Sequence, residues 1–185
     1  MEVPFLYRVE MKARLQNLPR KLQAPLAPTV RPARHWKHAA WSLVSSILGL
    51  TAITVLAHVV HSKLLIGSLG ASAVLLFGAP DSPLAQPRNL IGGHFLSAIV
   101  GVGVVMLGGS SEIWMSVAVG LSILLMYLTH TLHPPGGATA LIAVHDQVDW
   151  SFPFMPVALG AFVLLGVALL TNNIVHHRQY PKHWW

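Results

Sequence analysis

Beyond residue 38 the chain alternates long stretches free of Asp, Glu, Lys and Arg with short polar joints. These stretches cover residues 39–60, 64–80, 89–111, 113–145 and 150–177, which is 22, 17, 23, 33 and 28 residues. A straight helix needs about 20 residues to cross a hydrocarbon core about 30 Å thick, so the first, third and fifth each predict one membrane helix. The fourth would make a helix of about 50 Å, and Pro134, Pro135, Gly136 and Gly137 interrupt it two-thirds of the way along. It therefore predicts a full helix over about 113–132 and a short apolar piece over about 137–144. In the second, Gly67 and Gly70 weaken the beginning and leave a good apolar stretch only over 71–77.

The two short pieces resemble each other. Gly70-Ala71-Ser72-Ala73-Val74-Leu75-Leu76 aligns with Gly137-Ala138-Thr139-Ala140-Leu141-Ile142-Ala143, 67 residues later, and each precedes a loop containing an aspartate, Asp81 or Asp146. The expected fold is an all-α integral membrane protein of two three-element repeats, 39–110 and 112–177. Each repeat has a short broken or re-entrant middle helix, giving four long spans plus two half-helices. A chance match of small apolar residues is the alternative. If the short pieces cross the membrane there are six spans; if they dip and return there are four. Both arrangements put the two ends on one side, and Arg88 shares that side only in the six-span case.

Composition agrees with a membrane protein. The chain is 54% hydrophobic and 10% charged, far from the soluble norm of about 25% charged, so lipid must supply part of its solvent. The formal charge of +6 belongs to residues 1–38, where eight basic residues face two acidic ones, while the remainder balances four against four. A basic tail ahead of a first apolar span is the positive-inside signal, and with a second basic tail at 178–185 it predicts cytoplasmic ends. Tyr7, Met11, Leu15 and Leu18 fit either a short interfacial helix or a disordered basic tail. Nothing in the tail resembles a cleaved leader or a nucleic-acid module. The absence of cysteine removes thiolate catalysis and Cys-type metal sites.

Candidate chemistry concentrates at Thr129-His130-Thr131-Leu132-His133-Pro134-Pro135-Gly136-Gly137-Ala138-Thr139-Ala140. A helix restarted after two prolines would present early amide groups and a positive dipole end at Gly136 to Thr139, which suits an anion. Gly67, Ser68, Gly70 and Ser72 offer the equivalent start in the first repeat. Paired half-helix starts cradle substrate in many transporters; close helix packing is the other use of such glycines. His130 and His133 share a helix face, and His94 with Ser97 intrudes into the third apolar run. These histidines lack the further ligand a zinc site needs, so hydrogen bonding, proton relay or capping of the broken backbone is expected instead. Arg88 could attract an anion, pair with Asp81 or set topology. No catalytic triad, Walker loop or carboxylate pair is present, so no enzyme is expected.

These residues resemble the HPP family of small integral membrane proteins. The resemblance runs from about Trp41 to Asn172. It is carried by the segment from Gly67 to Leu76, by Ala79-Pro80-Asp81-Ser82-Pro83-Leu84-Ala85-Gln86-Pro87-Arg88-Asn89, by Gly92-Gly93-His94 and by the stretch from His130 to Ala140. It implies four spans and, from the reported activity of some plant plastid and cyanobacterial members, transport of nitrite or a similar small anion. The expected function is a transporter or channel for a small monovalent anion, with nitrite favoured, in a bacterial inner membrane. Its binding residues would be Gly67, Ser68, Gly70, Ser72, Arg88, His94, His130, His133, Pro134, Pro135, Gly136, Gly137 and Thr139, with no cofactor or resident metal. Expected partners are the lipid bilayer, the anion and a second copy of the chain, since 20.0 kDa is small for a lone pathway. Two rivals are a His-dependent membrane metalloenzyme and a structural or sensory membrane protein that moves nothing.

Overall fold

The computed structural model of the chain describes residues 36–59 and 66–184, together with Gln16. The interfacial helix expected in the basic tail lies outside the described residues. All regular elements among the described residues are helical. They are α1 (Trp36–Val59), α2 (Ile66–Ala73, prolonged by a wider π-helical turn, Val74–Gly78), a 3-10 turn (Pro83–Ala85), α3 (Pro87–Met106), α4 (Glu112–Leu128), α5 (Pro134–His145) and α6 (Leu159–Ile174, entered through a π-helical turn, Pro153–Ala158).

Three helices are long and apolar enough to cross a bilayer: Trp36–Val59, Pro87–Met106 and Pro153–Ile174. The expected fourth long span is shorter because α4 stops at Leu128, six residues before Pro134. Thr129 caps its end, with both its N–H and its hydroxyl bonded to Leu125 O. The chain then turns through His130, whose φ of 55° is left-handed. Two carbonyls of this turn are satisfied by side chains from α3: Arg88 Nη2 donates to Thr129 O at 2.7 Å, and Asn89 Nδ2 to Leu132 O at 2.8 Å. Irregular backbone at membrane depth needs partners of this kind. The prolines open α5 because its first positions need no N–H donor.

Each helix runs opposite to the one before it. At one end of the molecule, Arg178 after α6 donates to His38 O at the start of α1 and to Phe77 O at the end of α2. The tail beyond it reaches the entrance of α3, where Tyr180 Oη donates to Ala85 O and Lys182 N to Gln86 Oε1. At the other end, Trp150 lies against Met106 at the close of α3. α2 therefore finishes at the end of the molecule where α1 starts. The described helices alternate in direction and are of unequal length, and three of them, rather than the expected four, are long and apolar enough to cross a bilayer.

α3 and α5 run parallel in the most extensive helix contact, with α4 packed on both. Gly93, Ser97 and Gly101, four residues apart on α3, face Gly136, Ala140 and Ala143 on α5. A Cβ at Gly136 would sit 2.8 Å from Gly93 O, so the two backbones touch. α1 and α6 form a second pair over a core that includes Ile53, Leu69, Leu76, Phe77 and Leu164. Exposed apolar residues such as Leu43, Ile47, Ile113, Leu124, Phe162 and Leu170 form the outer surface, as lipid contact requires.

Candidate functional site

Four polar side chains from α2, α3 and the start of α5 meet in the interior, all fully buried: Ser72, His94, His133 and Thr139. His94 Nδ1 lies 2.7 Å from Thr139 Oγ1 and its Nε2 2.7 Å from Ser72 Oγ. Ser72 Oγ is also 2.9 Å from His133 Nε2 and 3.1 Å from Ser68 O one turn back. His133 Nδ1 is 2.8 Å from Leu84 O in the loop ahead of α3, and the two imidazole rings stand 4.9 Å apart.

The partners fix the protons. A carbonyl only accepts, so His133 in its neutral form carries hydrogen on Nδ1, and its Nε2 competes with Ser68 O for the one Ser72 hydroxyl proton. Ser72 then accepts from His94 Nε2–H, and Thr139 donates to His94 Nδ1. In the neutral cluster the chain from Thr139 through His94 reaches Ser72, whose one proton goes to His133 Nε2 or to Ser68 O. Leu84 O holds neutral His133 in one tautomer, while His94 lies between two hydroxyls.

The aligned positions Ser72 and Thr139, 67 residues apart, bond opposite nitrogens of the same histidine. His94 reaches both because the small surface of α3 lets α5 approach. A Cβ on Gly93 would stand 2.5 Å from that of His133.

The donors at the start of α5 are side chains rather than amides. Pro134 and Pro135 have no N–H, and the N–H of Gly136 is bonded to His133 O at 2.8 Å. Pro135 and Gly136 are buried as packing surface, Pro134 is exposed, and Gly137 faces Val119 of α4. At the beginning of α2, Gly67 is exposed, and neither it nor Gly70 has an atom within 4 Å of an added Cβ. Ser68 enters the cluster through its carbonyl. The structure thus joins Ser72, His94, His133 and Thr139, and it leaves Gly67, Gly70, Arg88 and His130 elsewhere.

Arg88 and His130 lie nearer the end of the molecule where α3 begins. A cavity of about 560 Å³ there is lined by Arg88, Gly92, Thr129, Thr131, Phe162 and Trp184, among others. Neighbouring cavities of about 130 and 310 Å³ include His130 and Asn89. Gly92 and Thr131 line the first of these cavities, whereas Ser72, His94, His133 and Thr139 do not. Arg88 is not paired with Asp81, whose partner is Lys182 Nζ at 3.1 Å. Among the described residues, no three of His, Cys, Asp or Glu are placed to hold a metal ion. The ring nitrogens of His94 and His133 are occupied by Ser72, Thr139 and Leu84.

Two participants escaped the reading of the sequence. Leu84 acts through its carbonyl, which no side-chain pattern reveals, and Asn89 pins the turn before His133 from the first turn of α3. Arg178 is the other buried polar centre. Its guanidinium meets Phe77 O, Asn172 Oδ1, His38 O and Ser42 Oγ, all within 3.0 Å, and burial lowers its pKa from the ordinary arginine value.

A family model described as the transmembrane region of HPP proteins matches residues 31–181. Two proteins of Dictyostelium discoideum, each named a transmembrane protein, are similar to the chain. One is 44% identical over 166 residues, covering 83% of this chain and 58% of the relative. The other is 45% identical over 157 residues, covering 78% and 50%. The chain thus spans about half the length of these curated relatives. No solved structure matches it. The family match takes in all six helices and every residue of the buried cluster, and the chain belongs to the HPP transmembrane family.

Proposed function

We propose that the protein is a transmembrane pathway for a small monovalent anion, with nitrite the favoured substrate, and that it is not an enzyme. The observation that carries this reading is the fully buried chain of Ser72, His94, His133 and Thr139 inside the helical domain, with Arg88 in the wall of a cavity nearer one end. Buried polar groups in a membrane domain are costly, and they commonly mark a pathway. Arg88 would draw an anion to the cavity by charge, while the hydroxyl and imidazole groups would offer it hydrogen bonds in place of water.

Two features extend the reading. Ser72 and Thr139 occupy aligned positions and converge on one histidine, which supports two related three-helix halves meeting at the site, as in repeat-built transporters. The basic ends support a cell inner membrane with the Arg88 end cytoplasmic. The exposed apolar face of α4 supports association with a second copy.

Uptake of nitrite into proteoliposomes, competed by nitrate, formate and bicarbonate, tests the proposal. Saturable uptake above that of protein-free vesicles is expected. Equal entry with and without protein would refute it.

A further inference from the structure

We propose that the Ser72–His94–His133 cluster binds one proton with each anion, which makes the pathway an electroneutral proton–anion cotransporter. This deepens the transport reading and rests on it. The basis is a count of protons against partners. Five hydrogen-bonded pairs meet here: Thr139 with His94, His94 with Ser72, Ser72 with His133, Ser72 with Ser68 O, and His133 with Leu84 O. With both imidazoles neutral, only four protons are available, one on each hydroxyl and one on each ring. The Ser72 hydroxyl can serve His133 Nε2 or Ser68 O, and one pair always lacks its hydrogen.

A fifth proton completes the set. Placed on His133 Nε2, it donates to Ser72 Oγ, and Ser72 turns its own proton to Ser68 O. Ser72 then accepts from both imidazoles and donates once, which is the full capacity of a hydroxyl. The step forms one N–H bond on His133, using a proton taken from water at the Arg88 end. No other covalent bond changes, and release reverses it.

The charge created has no counter-ion in place. Among the described residues no carboxylate, lysine or arginine bonds to either ring. Arg88 is turned to Thr129 O, Asp81 pairs with Lys182, Asp146 with His145, and Glu112 and Asp149 stand at a helix start and in a loop. Lys37, His38 and His58 are near the ends of α1, α6 has no titratable side chain, and His130 is exposed in its turn. A buried imidazolium without a counter-charge is heavily penalised. A monovalent anion beside the cluster supplies that charge, so proton and anion enter together and the loaded site is neutral.

The experiment uses the full chain in proteoliposomes containing a trapped pH indicator. Nitrite is added outside, with no pH gradient and the membrane potential clamped by potassium and valinomycin. Nitrite entry is expected to acidify the lumen by about one proton per anion, beyond the change in protein-free vesicles, at a rate indifferent to the clamped potential. Entry driven by the potential with no protein-dependent acidification would overturn the coupling and leave the transport reading intact. No entry above protein-free vesicles would overturn both. A second readout is free of flux: nitrogen-15 histidine spectra of the protein in bilayers should show both nitrogens of His133 protonated when nitrite is bound. Unchanged imidazole signals with bound nitrite would overturn the inference.

Discussion

A single hydroxyl, that of Ser72, connects the two imidazoles at the centre of the site. Ser72→Ala would leave His94 Nε2–H and His133 Nε2 buried without their shared partner, at a cost of about 1–3 kcal/mol. A lower thermal midpoint in detergent and a loss of protein-dependent nitrite uptake are expected. The glycines make a sharper pair. Gly136→Ala would press a methyl onto Gly93 O and Ser97 Oγ, both within 3.0 Å, whereas Gly67→Ala meets nothing within 4 Å. Overpacking of this kind costs about 1–3 kcal/mol. Thermal melts should therefore separate the two, with Gly136→Ala destabilised and Gly67→Ala close to the parent. The sequence marked both glycines equally, as residues that break helices, because composition cannot show which glycine has a neighbour. It did single out His94 as a polar intrusion in an apolar run, His133 as one of a pair on a helix face, and Ser72 and Thr139 as parts of the two half-helix starts. It could not show that the restarted helix would spend its amide on His133 O.

Among the elements, the break between α4 and α5 was the most legible, because two prolines followed by two glycines leave a helix no other course. The length of α4 was less so. Its early end depends on Arg88 and Asn89 reaching across from α3, a tertiary effect absent from the local pattern. The tail after α6 is another element whose role comes from distant partners. Arg178 ties the π-helical end of α2 to the start of α1, and Asn172 Nδ2 donates to Leu76 O beside it. Arg178→Met would strip four acceptors of a buried donor and is expected to cost about 1–3 kcal/mol or more. Limited proteolysis should then cut the segment after Ile174 faster than in the parent, and equal rates would show that the tie is weak. Tyr180 adds to the same clamp, its hydroxyl donating to Ala85 O while burial raises its pKa from the ordinary phenol value.

Across the whole molecule, alternating helices set Arg88, Lys182 and the ends of the described chain at one face, with Glu112, Asp146 and Asp149 at the other. Charge alone left two topologies open, since the basic ends share a side in both. The contacts of the C-terminal tail bring the start of α1, the end of α2 and the entrance of α3 together, the arrangement expected of six spans. The absence of native cysteine makes this directly testable. Single variants Ser82→Cys and Gln147→Cys should react with an impermeant thiol reagent from opposite sides of a sealed vesicle. Reaction from one side would restore the re-entrant arrangement. The central claim, that the buried cluster serves the passage of an anion, is tested most directly by nitrite uptake through reconstituted parent, Ser72→Ala and Gly67→Ala proteins at matched amounts of folded protein. The account predicts saturable uptake by the parent and Gly67→Ala proteins, with Ser72→Ala reduced to about the protein-free rate. Uptake by Ser72→Ala equal to the parent's would contradict it.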